Sequence, residues 1–146
     1  MEPLVARLDS AWAELRDSYE GLSESELTRP GALGEWSVKD VLAHVTTWEE
    51  EALKHLPTIA RGERPPRYAS EGGIDAFNAR MAERKRDLSL ETVLARMDET
   101  HATLVAYLRS TIEMTSRSRF VKRLRLDTYG HYRLHAEAIR GWRSTL

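Results

Sequence analysis

Near the C-terminus, residues 127–135 read DTYGHYRLH. This stretch lies in a segment predicted to be helical from about residue 126 to residue 143. A step of four residues turns an α-helix by about 400°, so His131 and His135 leave the same face, one turn apart. The other residues of this face are core-like, namely Thr128, Ile139 and Trp142. The stretch therefore predicts an all-helical core into which two imidazoles point.

Upstream, three further long segments place apolar residues at helical spacing. The first runs from about residue 3 to Tyr19. The second begins after an N-cap at Ser37 and is expected either to stop or to kink at Pro57, after Leu56, because proline removes a helical hydrogen bond. The third follows a cap at Ser89 and carries the most regular apolar stripe, Leu90, Leu94, Met97, His101, Leu104 and Leu108. Each segment predicts an amphipathic helix with one buried face.

The remaining segments predict only short elements. Residues 23–26 form a capping-box pattern that opens one helical turn, and residues 74–87 predict a shorter helix. Residues 58–73 are typical of a connecting loop, residues 111–122 receive no assignment, and no segment alternates long enough to form a strand. We therefore predict an all-α fold, a four-helix bundle with short accessory helices, in which residues 1–146 form one domain.

Composition restricts the chemistry that is available. The chain has 146 residues and no cysteine, so any metal must be held by imidazole, carboxylate or water. No apolar run approaches the roughly 20 residues needed to span a bilayer, and the N-terminus lacks a signal-peptide pattern. These features predict a cytoplasmic protein with no membrane partner.

The charge of the chain is nearly balanced but unevenly distributed. A formal net charge of −1 argues against a general nucleic-acid binder, so no nucleic-acid partner is predicted. Residues 111–146 hold eight basic and three acidic side chains, a net charge of +5, whereas the first 110 residues carry −6. The C-terminal excess is either an ordinary solvated helix face or the place where an anionic substrate or partner binds.

A third imidazole comes from His44, which shares a face of the second long helix with Val41 and Trp48. Because a bundle brings inward faces within reach across its axis, His44, His131 and His135 are predicted to bind one divalent metal ion. Three ligands leave positions for water and substrate, as in a catalytic site. The ligand set does not choose among zinc, nickel, iron and manganese; zinc and nickel are the first candidates. The alternative is a group of core histidines bonded to other protein groups.

Three residues are candidates for acid–base catalysis. Tyr129 and Tyr132 flank His131, and His101 lies on the apolar stripe of the third long helix. A tyrosine or histidine beside a metal can exchange a proton with a substrate. The alternative for each is packing in the core. Glu49 could orient a ligand histidine, although solvent exposure is the expectation for it.

Two stretches resemble signatures of the DinB/YfiT-like superfamily. Residues 34–45, GEWSVKDVLAHV, resemble its second-helix signature, and residues 127–136, DTYGHYRLHA, resemble its last-helix signature. Residues 74–78, IDAFN, resemble the ClbS/DfsB branch in particular. The order and spacing of these stretches resemble those of the superfamily across almost the whole chain.

The resemblance implies a four-helix bundle of DinB/YfiT-like connectivity and a divalent metal on His44, His131 and His135. It also implies a homodimer, since dimers are frequent in the superfamily. Related members activate thiols with the metal, as in mycothiol-dependent isomerases and bacillithiol transferases. For the ClbS branch the resemblance implies hydrolysis of an electrophilic cyclopropane in a DNA-damaging metabolite, which need not use a metal.

Three functions remain open at this point. The first is a metal-dependent enzyme of hydrolase or thiol-transferase type, acting on a small electrophilic or toxic metabolite, with a low-molecular-weight thiol as a further partner. The second is a metal-independent, ClbS-like protection protein that hydrolyses or sequesters a genotoxic metabolite. The third is a non-catalytic binding or dimerisation module.

Overall fold

The computed structural model describes residues 1–111 and 114–146. Ile112 and Glu113, which belong to the segment that receives no assignment from the sequence, lie outside the described residues. Over the described ranges the chain forms helices and no strand, which confirms the all-α prediction. The helices are α1 (Glu2–Tyr19), α2 (Glu24–Leu27), α3 (Val38–Ala60), α4 (Ile74–Lys85), α5 (Leu90–Ser110), α6 (Arg117–Asp127) and α7 (Tyr129–Arg143), with one 3-10 turn at Tyr68–Glu71.

Four long helices form the bundle. α1 packs along α7 and α3 packs along α5, while contacts of α1 with α5 and of α3 with α7 close the core. Each helix contributes fully buried aliphatic residues, for example Leu8, Leu42, Leu104 and Ile139. Burial of one such side chain contributes about 1.5–3 kcal/mol. None of the helices in the described ranges is both long and apolar enough to cross a membrane.

The predicted cap at the start of α3 is confirmed. The Ser37 hydroxyl accepts a hydrogen bond from the Asp40 backbone N–H at 3.1 Å, and the Asp40 carboxylate accepts one from the Ser37 backbone N–H at 2.9 Å. This capping box satisfies two backbone donors that a helix start leaves free. It also sets where α3 begins, and hence where His44 lies on the helix.

Of the two expectations for Pro57, the stop is wrong, because α3 continues to Ala60 with Pro57 inside it. Proline removes one backbone hydrogen bond from a helix interior. The side chains on either side compensate, since Leu56 is fully buried and Ile59 is 5% exposed. Tertiary packing therefore extends the helix past a residue that disfavours it.

The segment without a sequence-based assignment contains most of α6, and the last predicted helix is in fact interrupted. α6 buries only Phe120, Leu124 and Asp127 among basic residues, which leaves little apolar periodicity to detect. It ends at Asp127, and Thr128 adopts φ −130° and ψ −99° before α7 starts. Thr128 donates its hydroxyl to the Leu124 carbonyl, which closes the end of α6. The helix is therefore interrupted just before His131 and His135.

Candidate metal centre

His44, His131 and His135 converge inside the bundle. α3 presents His44, and α7 presents the other two one turn apart. The Nε2 atom of His131 lies 3.0 Å from that of His44 and 2.8 Å from that of His135. One ring nitrogen from each of the three residues lies within 4.8 Å of the others. The structure thus brings together the three histidines selected from the sequence.

The three imidazoles have the electrostatic state that a metal ligand needs. Burial lowers the pKa of His44 to about 3 and that of His131 to about 2, and each is lowered further by neighbouring imidazoles. Burial also lowers the pKa of His135 to about 4. At neutral pH the rings are therefore uncharged, with a nitrogen lone pair available for coordination.

The spacing of the nitrogen atoms also fits one ion. Two imidazole nitrogens that are each about 2.1 Å from one metal and subtend a right angle lie about 3.0 Å apart. The measured separations of 3.0 Å and 2.8 Å are close to this value. Among the described residues, no protein group bonds the buried Nδ1 atoms of His131 and His135. The Nδ1 side of each ring is therefore held by packing, whereas the Nε2 atoms contact the other imidazoles.

A cleft of about 630 Å³ between α3 and α4 gives access to this region. His44 lines it, next to Trp36, whose ring centroid lies 4.9 Å from the imidazole. Asn78 from α4 also lines the cleft, and its side-chain oxygen accepts a hydrogen bond from Trp48 at 2.9 Å. The cleft has the size and the mixed apolar and polar lining of a small-molecule site.

The structure places the candidate acid–base residues away from this cleft. The Tyr132 hydroxyl is fully buried and donates a hydrogen bond to Glu49 Oε2 at 2.8 Å. His101 Nδ1 lies 3.2 Å from the same oxygen, and its ring stacks on Trp12 at a centroid distance of 3.8 Å. Tyr129 is buried too, at 4% exposure. His101 and Tyr132 thus belong to one buried network, and His44 is the predicted site residue that faces the cleft.

Glu49 is the residue that sequence reasoning missed, since solvent exposure was expected for it. Its side chain is completely buried, and burial raises the pKa of its carboxyl group. A signal was present in the sequence. Glu49 lies four residues after Val45 and three before Ala52, so it falls on the buried face of α3.

A family model described as the DinB superfamily matches residues 7–137. The chain belongs to the DinB superfamily. No curated protein matches it in sequence. Solved structures with the DinB-like fold include the colibactin self-resistance protein ClbS in complex with a dsDNA, with a TM-score of 0.81, 16% identity and coverage of 99% of this chain and 96% of ClbS.

Two further solved structures share the fold of this DinB-superfamily chain. The structure called Sibling Lethal Factor Precursor - DfsB has a TM-score of 0.79 and 13% identity, covering 99% of this chain and 95% of that chain. An uncharacterised protein from Escherichia coli UTI89 has a TM-score of 0.75 and 14% identity, covering 97% and 91%. The resemblance to the superfamily and to the ClbS/DfsB fold is confirmed.

The prediction that nucleic acid is not a partner is contradicted by the ClbS complex, because a protein of this fold is seen with dsDNA. That prediction rested on the net charge of the whole chain, −1. Net charge is a poor guide where charge is segregated. α6 alone carries five basic side chains and one acidic one. The net charge of the whole chain therefore does not describe this segment.

Proposed function

We propose that this DinB-superfamily protein is a metal-dependent enzyme of hydrolase or thiol-transferase type that acts on a small electrophilic metabolite. The observation that carries the proposal is the convergence of three uncharged imidazoles beside a cleft, with His131 Nε2 at 3.0 Å from that of His44 and 2.8 Å from that of His135. His44, His131 and His135 would hold the ion and leave positions for other ligands. A bound divalent ion lowers the pKa of a water or thiol and so supplies a nucleophile near neutral pH.

Residues around the three histidines would bind the substrate and exclude water from the imidazoles. Trp36 covers one side of His44, and the ring of Trp48 lies 6.4 Å from that of His131. These indoles remove water from around the imidazoles and offer apolar surface to a substrate. Asn78 holds Trp48 through its side-chain oxygen, which leaves its amide N–H groups free to orient a substrate.

Tyr129, Tyr132 and His101 stay the proposed proton donors and acceptors. Burial raises the pKa of Tyr132 well above its ordinary value, with a further contribution from Glu49. At neutral pH the Tyr132 hydroxyl therefore keeps its proton and acts as a donor, not as a base. It donates to Glu49 in this structure, so participation in catalysis would require this hydrogen bond to be exchanged.

Metal content tests the proposal directly. Protein purified without an affinity tag is expected to contain about one divalent ion per chain, measured by inductively coupled plasma mass spectrometry. His44→Ala is expected to lose most of that metal, because one of three ligands is removed. Full stoichiometric metal in His44→Ala would contradict the assignment. Detoxifying activity that survives chelation of the wild-type protein would favour the metal-independent, ClbS-like alternative, and absence of any turnover would favour a binding module.

Binding of duplex DNA is a second candidate function, favoured by a basic surface formed by two distant segments. The Thr115 backbone N–H donates to the Ala60 carbonyl at 2.9 Å, and Arg119 donates to the Gly62 carbonyl at 3.2 Å. These contacts bring the loop after α3 next to α6. The basic surface is the groove that Arg64, Arg67, Arg119 and Arg123 line. The same two segments also carry Arg61, Arg117, Lys122 and Arg125.

The basic surface is suited to phosphate groups. Arg64, Arg67, Arg119 and Arg123 line a groove of about 520 Å³ together with Tyr68. Arg123 is held by Asp127 and Tyr68, at 2.6 Å and 2.7 Å, whereas Arg64 and Arg67 are exposed. Arginine guanidinium groups on loops and helix faces typically contact the DNA backbone and position the duplex without reading its sequence. The fold shared with ClbS supports the choice of duplex DNA as the partner.

Removing two exposed arginines should weaken such binding in a salt-dependent way. The double variant Arg64→Ala/Arg67→Ala is expected to bind a fluorescein-labelled duplex about tenfold more weakly at about 100 mM salt. The slope of log affinity against log salt should fall by about 2, since each lost phosphate contact removes about 0.9. Fluorescence anisotropy at several salt concentrations measures both quantities.

The matched control is Arg7→Ala/Arg96→Ala, which removes the same charge from exposed positions on α1 and α5. This variant should retain the wild-type slope. Equal losses of affinity in the two double variants would show that binding follows net charge and not the basic surface. Absence of duplex binding by the wild-type protein at about 50 mM salt would reject this second candidate function.

A further inference from the structure

One polar network, buried except at Asp9, connects all four long helices. Glu49 of α3 accepts a hydrogen bond from Tyr132 of α7 at 2.8 Å, and His101 of α5 contacts the same oxygen at 3.2 Å. The other ring nitrogen of His101 lies 3.4 Å from a carboxylate oxygen of Asp9 on α1. Glu49 and Tyr132 are both fully buried. The network therefore has its centre in the core of the bundle.

The Tyr132–Glu49 hydrogen bond joins the two helices that carry the histidines. Tyr132 directly follows His131 on α7, and Glu49 lies five residues after His44, about 7.5 Å farther along α3. A hydrogen bond between two oxygen atoms is favourable only over about 2.5–3.0 Å. Because both side chains are also packed in the core, this contact favours one position of α7 along α3.

The geometry of the metal centre depends on the position of α7 along α3. Within the described chain, the buried Nδ1 atoms of His131 and His135 lack a protein hydrogen-bond partner that would orient the rings. Metal-binding histidines ordinarily have such a partner. In its absence, the separation between His44 and the two histidines of α7 follows from how α7 is placed against α3.

Glu49 is costly to the fold, which indicates a role other than stability. Among the described residues, its second oxygen Oε1 is buried without a hydrogen-bond partner. A buried carboxylate with an unsatisfied oxygen costs free energy, and replacing buried ionic groups by apolar ones is often neutral or stabilising. Fixing the register of packed helices is the best attested use of such groups.

We infer that Glu49 is a positioning residue for the metal centre: through Tyr132 it fixes α7 against α3 and thereby sets the spacing of the three histidine Nε2 atoms. This inference rests on the proposed metal-binding function. In this role Glu49 and Tyr132 act through the helices that they join, since neither side chain lines the cleft.

Cobalt binding by four variants tests the inference. Tyr132→Phe and Glu49→Leu both remove the hydrogen bond and are expected to weaken Co²⁺ affinity about tenfold or more, with a changed visible absorption spectrum of the bound ion. Glu49→Gln keeps a side-chain oxygen that accepts from Tyr132, so its affinity and spectrum should stay close to those of the wild-type protein. Leu108→Ala destabilises the core about two helical turns from His101 and should change neither.

A metal-free measurement separates this inference from the proposed function. The ring centroids of His44 and His131 lie 4.8 Å apart, which is close enough for a nuclear Overhauser effect between protons of the two rings. The effect should be present in the metal-free wild-type protein and weaker in Tyr132→Phe. Wild-type protein that shows it but binds no cobalt would reject the metal function and keep the positioning role. Wild-type affinity, spectrum and Overhauser effect in Tyr132→Phe would overturn the inference.

Discussion

Replacing His131 with alanine is expected to lower the affinity for Zn²⁺ or Co²⁺ by more than about 100-fold. In the proposed site His131 would be the central ligand, because its Nε2 atom lies 3.0 Å from that of His44 and 2.8 Å from that of His135. Loss of a group that only orients a ligand typically lowers affinity by roughly 10–100-fold, so loss of the ligand itself should exceed that range. Competition against a chromophoric chelator measures the affinity.

The matched control is His55→Ala. His55 is a buried histidine of α3, 7% exposed, which pairs with Glu51 at 3.5 Å and lies outside the triad. This variant should bind metal like the wild-type protein, which would show that the loss in His131→Ala is specific to the triad. Circular dichroism would establish that both variants remain folded. If His131→Ala retained affinity within about threefold of the wild-type value, the three histidines would not form the site.

The long helices and the triad were predictable from local features of the sequence. Apolar spacing identified α1, α3 and α5, and the capping residues Ser37 and Ser89 marked where α3 and α5 begin. The four-residue step between His131 and His135 is enough to place both rings on one face of a helix. His44 could be added because an imidazole on an apolar helix face has few alternatives to an inward orientation.

The features that were missed depend on tertiary contacts. α6 has two buried apolar anchors, Phe120 and Leu124, and a basic surface elsewhere, so its helicity comes from packing against α3 and α7. The same is true of Pro57, which is accommodated inside α3 by the burial of its neighbours. Local propensity describes neither case, because the stabilising contacts come from residues distant in the sequence.

Glu49 shows a different limit of sequence reasoning. Its position on the buried face of α3 was readable from the helical spacing, but its chemical type argued for solvent exposure. The carboxyl group of Glu49 can be buried because His101 on α5 and Tyr132 on α7 contact it. Partners of this kind become identifiable only once the packing of the helices is known.

Acid is expected to destabilise the metal-free protein as pH falls below about 6.5. In the folded state burial lowers the pKa values of His44, His131 and His135 to about 3, 2 and 4, whereas in the unfolded chain each is near 6.5. Between about pH 6.5 and 4 the unfolded chain therefore binds more protons than the folded protein. The free energy of unfolding should fall by about 1 kcal/mol per pH unit for each imidazole.

Two carboxyl groups have the opposite effect on stability, because they raise the free energy of unfolding as pH falls. Burial raises the pKa of Asp127 to about 6, against the opposing effect of Arg123, and it also raises that of Glu49. At these two carboxyl groups the folded protein binds protons more readily than the unfolded chain. Their contribution to the free energy of unfolding therefore rises as pH falls toward their ordinary pKa values near 4. The free energy of unfolding should therefore fall less steeply with decreasing pH than the sum for three histidines predicts. Its net change in acid should still be a loss of stability.

Urea unfolding at about pH 7, 6 and 5 in the presence of a chelator measures this slope, and His131→Gln isolates the part due to one imidazole. Glutamine does not titrate, so the variant should lose about 1 kcal/mol less stability per pH unit than the wild-type protein. The comparison of slopes is insensitive to any constant loss of packing caused by the substitution. An identical pH dependence in the two proteins would show that His131 is not held uncharged in the folded state, and would remove the electrostatic basis for its role as a metal ligand.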